Sequence, residues 1–71
     1  MFAQPLSQQV HETFALNPYL SQSGLHFQAD EGSGKVVLQG RVNSYYEKQM
    51  AQEAVRDIKG VQLIQNDLEV R

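Results

Sequence analysis

The sequence predicts an α+β domain of order αββαβ: a three-stranded mixed sheet with two helices packed on one face. Three observations carry this. In residues 36–42, Val36, Leu38 and Val42 recur at a spacing of two, which is a strand with one buried face. Residues 44–47 read Ser-Tyr-Tyr-Glu, a capping box, and the helix expected over residues 45–59 places Met50, Ala51, Ala54, Val55 and Ile58 on one arc at about 100° per residue. After Gly60, the residues Ile64, Leu68 and Val70 share one face of a further strand. A strand–helix–strand crossover within one sheet is right-handed and makes its two strands parallel.

The first helix is expected to open at Pro5, which suits a first helical position. Leu6, Val10, Thr13 and Phe14 then recur at helical spacing, and Asn17 ends the helix because the residue before Pro18 is pushed out of the helical region. Tyr19 and Leu20 are expected to fold back as a hydrophobic loop, followed by a turn over residues 21–24. Residues 25–29 alternate apolar and polar, a half-buried strand. The polar connection over residues 30–35 turns the chain into the antiparallel strand 36–42. The face of the sheet away from the helices would carry His26, Gln28, Val37, Gln39, Arg41, Leu63, Gln65, Asp67 and Glu69, and is largely polar. There is no internal repeat, linker or low-complexity segment.

The chain has 71 residues, one domain with its core over about residues 5–70. A chain of this size buries only about 60% of its unfolded surface, so its core is small. It has no cysteine, which excludes disulfides, thiolate metal sites and thiol nucleophiles. The formal charge is −2 with both signs scattered, which disfavours bulk nucleic-acid binding. No apolar run reaches the ~20 residues of a membrane span. The first residues lack the basic and apolar regions of an export signal, so the chain is expected to be cytoplasmic or a mature or excised piece of a longer protein.

Four residues are assigned structural roles. Gly40 interrupts a strand, which marks a bulge or close backbone approach; the second helix is expected to cross over it. Ser44 caps that helix at its start, and Gly60 is expected to cap its end. Asn66 alternates with Ile64 and Leu68, so it points inward, where its amide needs partners; a loop backbone is expected to supply them.

These positions resemble the BON domain, a family named for an osmotically induced periplasmic protein and nodulation proteins. The resemblance runs over about residues 10–70. It comprises Val10-x-x-x-Phe14, Asn17-Pro18-x-Leu20, Leu25 with Phe27, and Gly34-x-Val36-x-Leu38-x-Gly40-x-Val42. It continues with Ser44, Ala51 and Ala54, and ends with Gly60-Val61-x-x-Ile64-x-Asn66-x-Leu68-x-Val70. The resemblance implies an αββαβ fold and a non-catalytic module that associates with anionic phospholipid membranes or with envelope proteins, in the bacterial periplasm or cell envelope. This chain carries one copy where family members often carry two, and the shared residues are structural, so they transfer no binding site by position.

No constellation for catalysis, a cofactor or a metal stands out. His11-Glu12 opens like a zinc-binding His-Glu-x-x-His motif, but Ala15 stands where the second histidine would be. Gly32-Ser33-Gly34 lies in a hairpin and opens no helix, which excludes a phosphate loop. No two glycines are three apart, as an RNA-binding Gly-x-x-Gly loop requires.

The candidate surface is a stripe of the second helix. Tyr45, Lys48, Gln52, Arg56 and Lys59 cluster within about 80° of the wheel, with three cations and one aromatic ring to meet anionic headgroups. The plainer alternative is an ordinary charged helix surface in which Glu53 and Arg56 pair locally. A second candidate is an apolar patch of Tyr19, Leu20 and Leu63 for a protein partner. The competing function is a structural or self-association module that uses that patch, the outer sheet face or an edge strand.

Overall fold

The computed structural model describes residues 5–21 and 24–71, apart from the side chains of Tyr19 and Ser21. Helix α1 spans Leu6–Ala15, a short α2 spans Pro18–Ser21, β1 spans Gly24–Asp30, β2 Lys35–Val42, α3 Tyr45–Arg56 and β3 Leu63–Val70. The sheet order is β1-β2-β3, antiparallel between β1 and β2 and parallel between β2 and β3. This is the predicted mixed sheet. Val36, Leu38 and Val42 of the central strand are fully buried against Val10, Ala51 and Val55 of the two longer helices and Leu68 of β3. Each such valine or leucine contributes roughly 1.5–3 kcal/mol by leaving water. Phe14 of α1 meets Phe27 of β1 edge-on, with centroids 5.8 Å apart.

The start of α1 is held from a distance. Pro5 occupies the cap position rather than the first helical one, with ψ of 149° and no side-chain oxygen to offer. The Glu31 carboxylate, from the β1–β2 turn, accepts the Leu6 and Ser7 amides at 2.6 and 3.0 Å instead. This binds two otherwise orphaned helix donors with a charged acceptor. At the other end, α1 stops at Ala15, two residues earlier than predicted, with Leu16 as its cap residue. The Pro18–Ser21 stretch is a helical turn, not a loop, and it drives Leu20 into the core at 1% exposure.

Helix α3 starts as predicted: Ser44 Oγ accepts the Glu47 amide at 3.2 Å. The Glu47 carboxylate returns to the Asn43 amide at 3.0 Å, one residue before the cap. The helix ends at Arg56, three residues short of the prediction, so Gly60 does not cap it. After the helix, the Val61 amide donates to the Ile58 carbonyl, closing a tight turn with Gly60 as its third residue at φ of 102°. A positive φ at that position is what glycine tolerates. Leaving the helix early lets Ile58 and Val61 pack on the core.

Gly40 has φ of 119°, and a Cβ there would lie 2.0 Å from the Gly24 carbonyl oxygen. The close approach is real, but it comes from β1 and not from the helix expected to cross it.

Candidate functional site

The sheet occupies one side of α3 and leaves the other open. Tyr45, Lys48, Gln49, Gln52, Glu53 and Arg56 of α3, with Asn66 of β3, line an open groove of about 400 Å³. The structure therefore brings together four of the five residues of the predicted stripe. Lys59 is not among them, because α3 ends at Arg56 and Lys59 sits in the turn beyond. Tyr45 is 76% exposed. Arg56 Nη1 meets Glu53 Oε2 at 3.0 Å across one turn of helix, the local pairing that the charge pattern allowed. The groove thus presents one cation outside that pair, Lys48, one cation shared with a carboxylate, and three amides.

Asn66 ties this groove to the sheet edge. Its Nδ2 donates to the Lys48 carbonyl at 3.2 Å and to Gln52 Oε1 at 3.1 Å, so its partners lie on α3 and not on a loop. Its Oδ1 accepts the Leu68 amide at 3.2 Å. The Arg71 amide donates to Val42 across the β2–β3 pairing, so the odd-numbered residues of β3 turn toward β2 and the even-numbered ones toward the open edge. The Leu68 amide therefore lies on the edge, where a further strand would dock, and Asn66 occupies it. The exposed Asp67 and Glu69 add charge to the same strand. Self-capping and charge are both ways to blunt an edge.

The predicted apolar patch does not form. Leu20 is in the core, the Tyr19 side chain lies outside the described residues, and Leu63, 58% exposed, stands on the outer sheet face. Two large apolar side chains that the sequence reading did not single out are more exposed: Leu16 at 84% and Tyr46 at 71%. Tyr46 was findable, since Tyr46, Gln49, Met50 and Glu53 recur at helical spacing on the flank beside the basic stripe. Leu16 was findable too, since at about 100° per residue it lies about 200° from Phe14, off the face that Leu6, Val10 and Phe14 bury.

The hairpin acids serve the fold. Asp30 accepts the Ser33 hydroxyl and the Gly32 amide, which holds its carboxyl below the usual value of 3.8. Glu31 is held below 4.5 by the Ser7 and Leu6 amides. Both His11 and His26 are exposed. Among the described residues no three His, Asp or Glu side chains gather to hold a metal ion, and no helix is long and apolar enough to cross a membrane.

The BON domain family model matches residues 3–71. The chain belongs to the BON family. No curated protein matches it. This BON domain follows the predicted αββαβ order, with the short α2 inside the first connection. Family membership supports a phospholipid- or protein-binding module.

Proposed function

We propose that this BON domain is a non-catalytic module that associates with anionic phospholipid surfaces through the open side of α3. The observation that carries this reading is the groove in which Lys48 and Arg56 stand beside the exposed ring of Tyr45. Tyrosine suits a headgroup boundary, because its ring is apolar and its hydroxyl polar. Two basic residues near a charged bilayer contribute roughly 2 kcal/mol together, a weak and salt-sensitive attraction. The outer sheet face is a poorer candidate: Arg41 there is already paired with Glu69 at 3.5 Å, and Asp67 adds negative charge.

Co-sedimentation with vesicles tests this. The domain is expected to pellet with vesicles containing anionic lipid at low salt and to remain in the supernatant with neutral vesicles. The charge reversals Lys48→Glu and Arg56→Glu should each reduce the bound fraction, and Lys48→Glu more, since Arg56 is partly neutralised by Glu53. Equal pelleting with both vesicle types refutes the reading. For the competing self-association reading, Leu20 offers no surface, because it is core.

A further inference from the structure

The two edges of the sheet differ. On β3, Asn66 closes the edge at the Leu68 amide, and Asp67 and Glu69 add charge to the strand. The edge of β1 has no such guard. Val42 turns its carbonyl toward β3, where it accepts the Arg71 amide, so the even-numbered residues of β2 bond β3 and the odd-numbered ones bond β1. Opposite those odd-numbered residues stand Gly24, His26, Gln28 and Asp30 of β1. The amides and carbonyls of Leu25, Phe27 and Ala29 therefore point outward, and among the described residues no hydrogen bond reaches them. β1 pairs with β2 without a bulge and holds no proline or lysine. Asp30, its formally charged residue, stands at the last position with its carboxylate on Ser33 and Gly32. The side chains of Leu25, Phe27 and Ala29 are only partly buried against the core. An unguarded edge of this kind is a template for a further strand.

The order of residues in β1 says which strand fits. Laid antiparallel on itself about a two-fold axis at Phe27, β1 sets Leu25 opposite Ala29 of a second copy, His26 opposite Gln28 and Gly24 opposite Asp30. A large apolar side chain meets a small one, an imidazole meets an amide, and no charge meets its like. The residues with outward backbone groups also fall opposite one another, so the three pairs they make across the seam exchange two bonds each. Helix α1 is placed to one side of the axis. Glu31 holds its start at the hairpin and Phe14 sits on Phe27, so it lies along the half of β1 between Phe27 and the hairpin. The two copies of α1 then fall on opposite halves of the seam, not side by side. We propose that this domain forms a symmetric dimer by joining the β1 edges of two copies into one continuous sheet. The seam uses the open edge of both copies and the β3 edges are guarded, so assembly closes at two. The α3 groove is lined by Asn66 of β3, at the opposite edge of the sheet, so it stays open in the dimer and the pairing goes beyond the membrane reading.

Sedimentation equilibrium across a wide concentration range, without lipid, is expected to show a monomer–dimer equilibrium. Two double variants at the exposed positions 26 and 28 then test the register. His26→Lys with Gln28→Lys sets lysine opposite lysine at two places on the seam and should weaken the dimer roughly tenfold. His26→Lys with Gln28→Glu sets lysine opposite glutamate and should leave the dimer at least as tight. Circular dichroism at low concentration is expected to show the native fold in both. The chain has no cysteine, so a crosslink reads the same register directly. His26 and Gln28 of the second copy would form a non-hydrogen-bonded pair with Cα atoms about 4.5 Å apart, which a disulfide can span. An oxidised mixture of the single variants His26→Cys and Gln28→Cys should yield the mixed disulfide. Either variant alone, with its two positions on a diagonal of about 7–8 Å, should crosslink roughly fivefold less. A strictly monomeric protein, equal effects of the two double variants, or no excess of the mixed disulfide overturns the proposal. The assays hold no lipid, so their failure is distinct from failure of the membrane reading.

Discussion

Replacing Gly40 with alanine tests the tightest contact in the fold. The added Cβ would sit 2.0 Å from the Gly24 carbonyl oxygen and 3.1 Å from its carbon, and both are backbone atoms that no side-chain rotation can move aside. The residue would also keep a φ of 119°, which costs a non-glycine residue about 1–3 kcal/mol. Relief requires β1 to pull away at the Gly24–Arg41 and Leu25–Gly40 pairs, giving up about a further 1 kcal/mol of hydrogen bonding. The expected loss is therefore about 2–4 kcal/mol. A 71-residue chain at the usual 0.05–0.15 kcal/mol per residue has roughly 4–11 kcal/mol in all. Urea unfolding followed by circular dichroism would show this as a lower midpoint with little change in slope. Gly60→Ala supplies the comparison, because it keeps a φ of 102° but its Cβ would meet nothing nearer than Leu6 Cδ1 at 4.0 Å. It should cost about 1–2 kcal/mol, the conformational part alone. If Gly40→Ala is no more destabilising than Gly60→Ala, the clash with β1 is not what fixes Gly40, and the reasoning fails.

Leu20→Ala should cost about 2–5 kcal/mol, whereas Leu16→Ala, four residues away and 84% exposed, should leave the unfolding midpoint almost unchanged; equal effects would contradict the burial of α2. Glu31 has a folded-state pKa below its ordinary 4.5 because the Ser7 and Leu6 amides bind its ionised form. The stability it confers is thus present above pH 4.5 and is lost as pH falls through the folded-state value, so Glu31→Gln should flatten the acid side of a stability–pH curve below pH 4.5, and an unchanged acid side would refute the tertiary cap. Asn66→Ala should cost about 1–2 kcal/mol from its partly exposed hydrogen bonds and make the Leu68 amide exchange with solvent much faster than the Asp67 and Glu69 amides; amide exchange by NMR reads this directly, and unchanged protection at Leu68 would show that Asn66 does not close the edge.

The elements were legible because each is written in local chemistry. The period of two in Val36, Leu38 and Val42, the box at Ser44 and Glu47, and the arc of Ala51 and Val55 need no tertiary information. The sidedness of the sheet followed from the same alternation. Two of the misreadings depended on contacts between distant segments, and a third on a local turn. The close neighbour of Gly40 is Gly24, which only the β1–β2 register supplies. Glu31 reads as a solvated turn residue until the hairpin is placed under the start of α1, 24 and 25 residues back in the chain. The end of α3 was read from Gly60, the strongest breaker in sight, whereas the turn closed by Ile58 and Val61 ends the helix sooner. Losing that last turn removed Lys59 from the candidate stripe, so a local error about a cap became an error about the site.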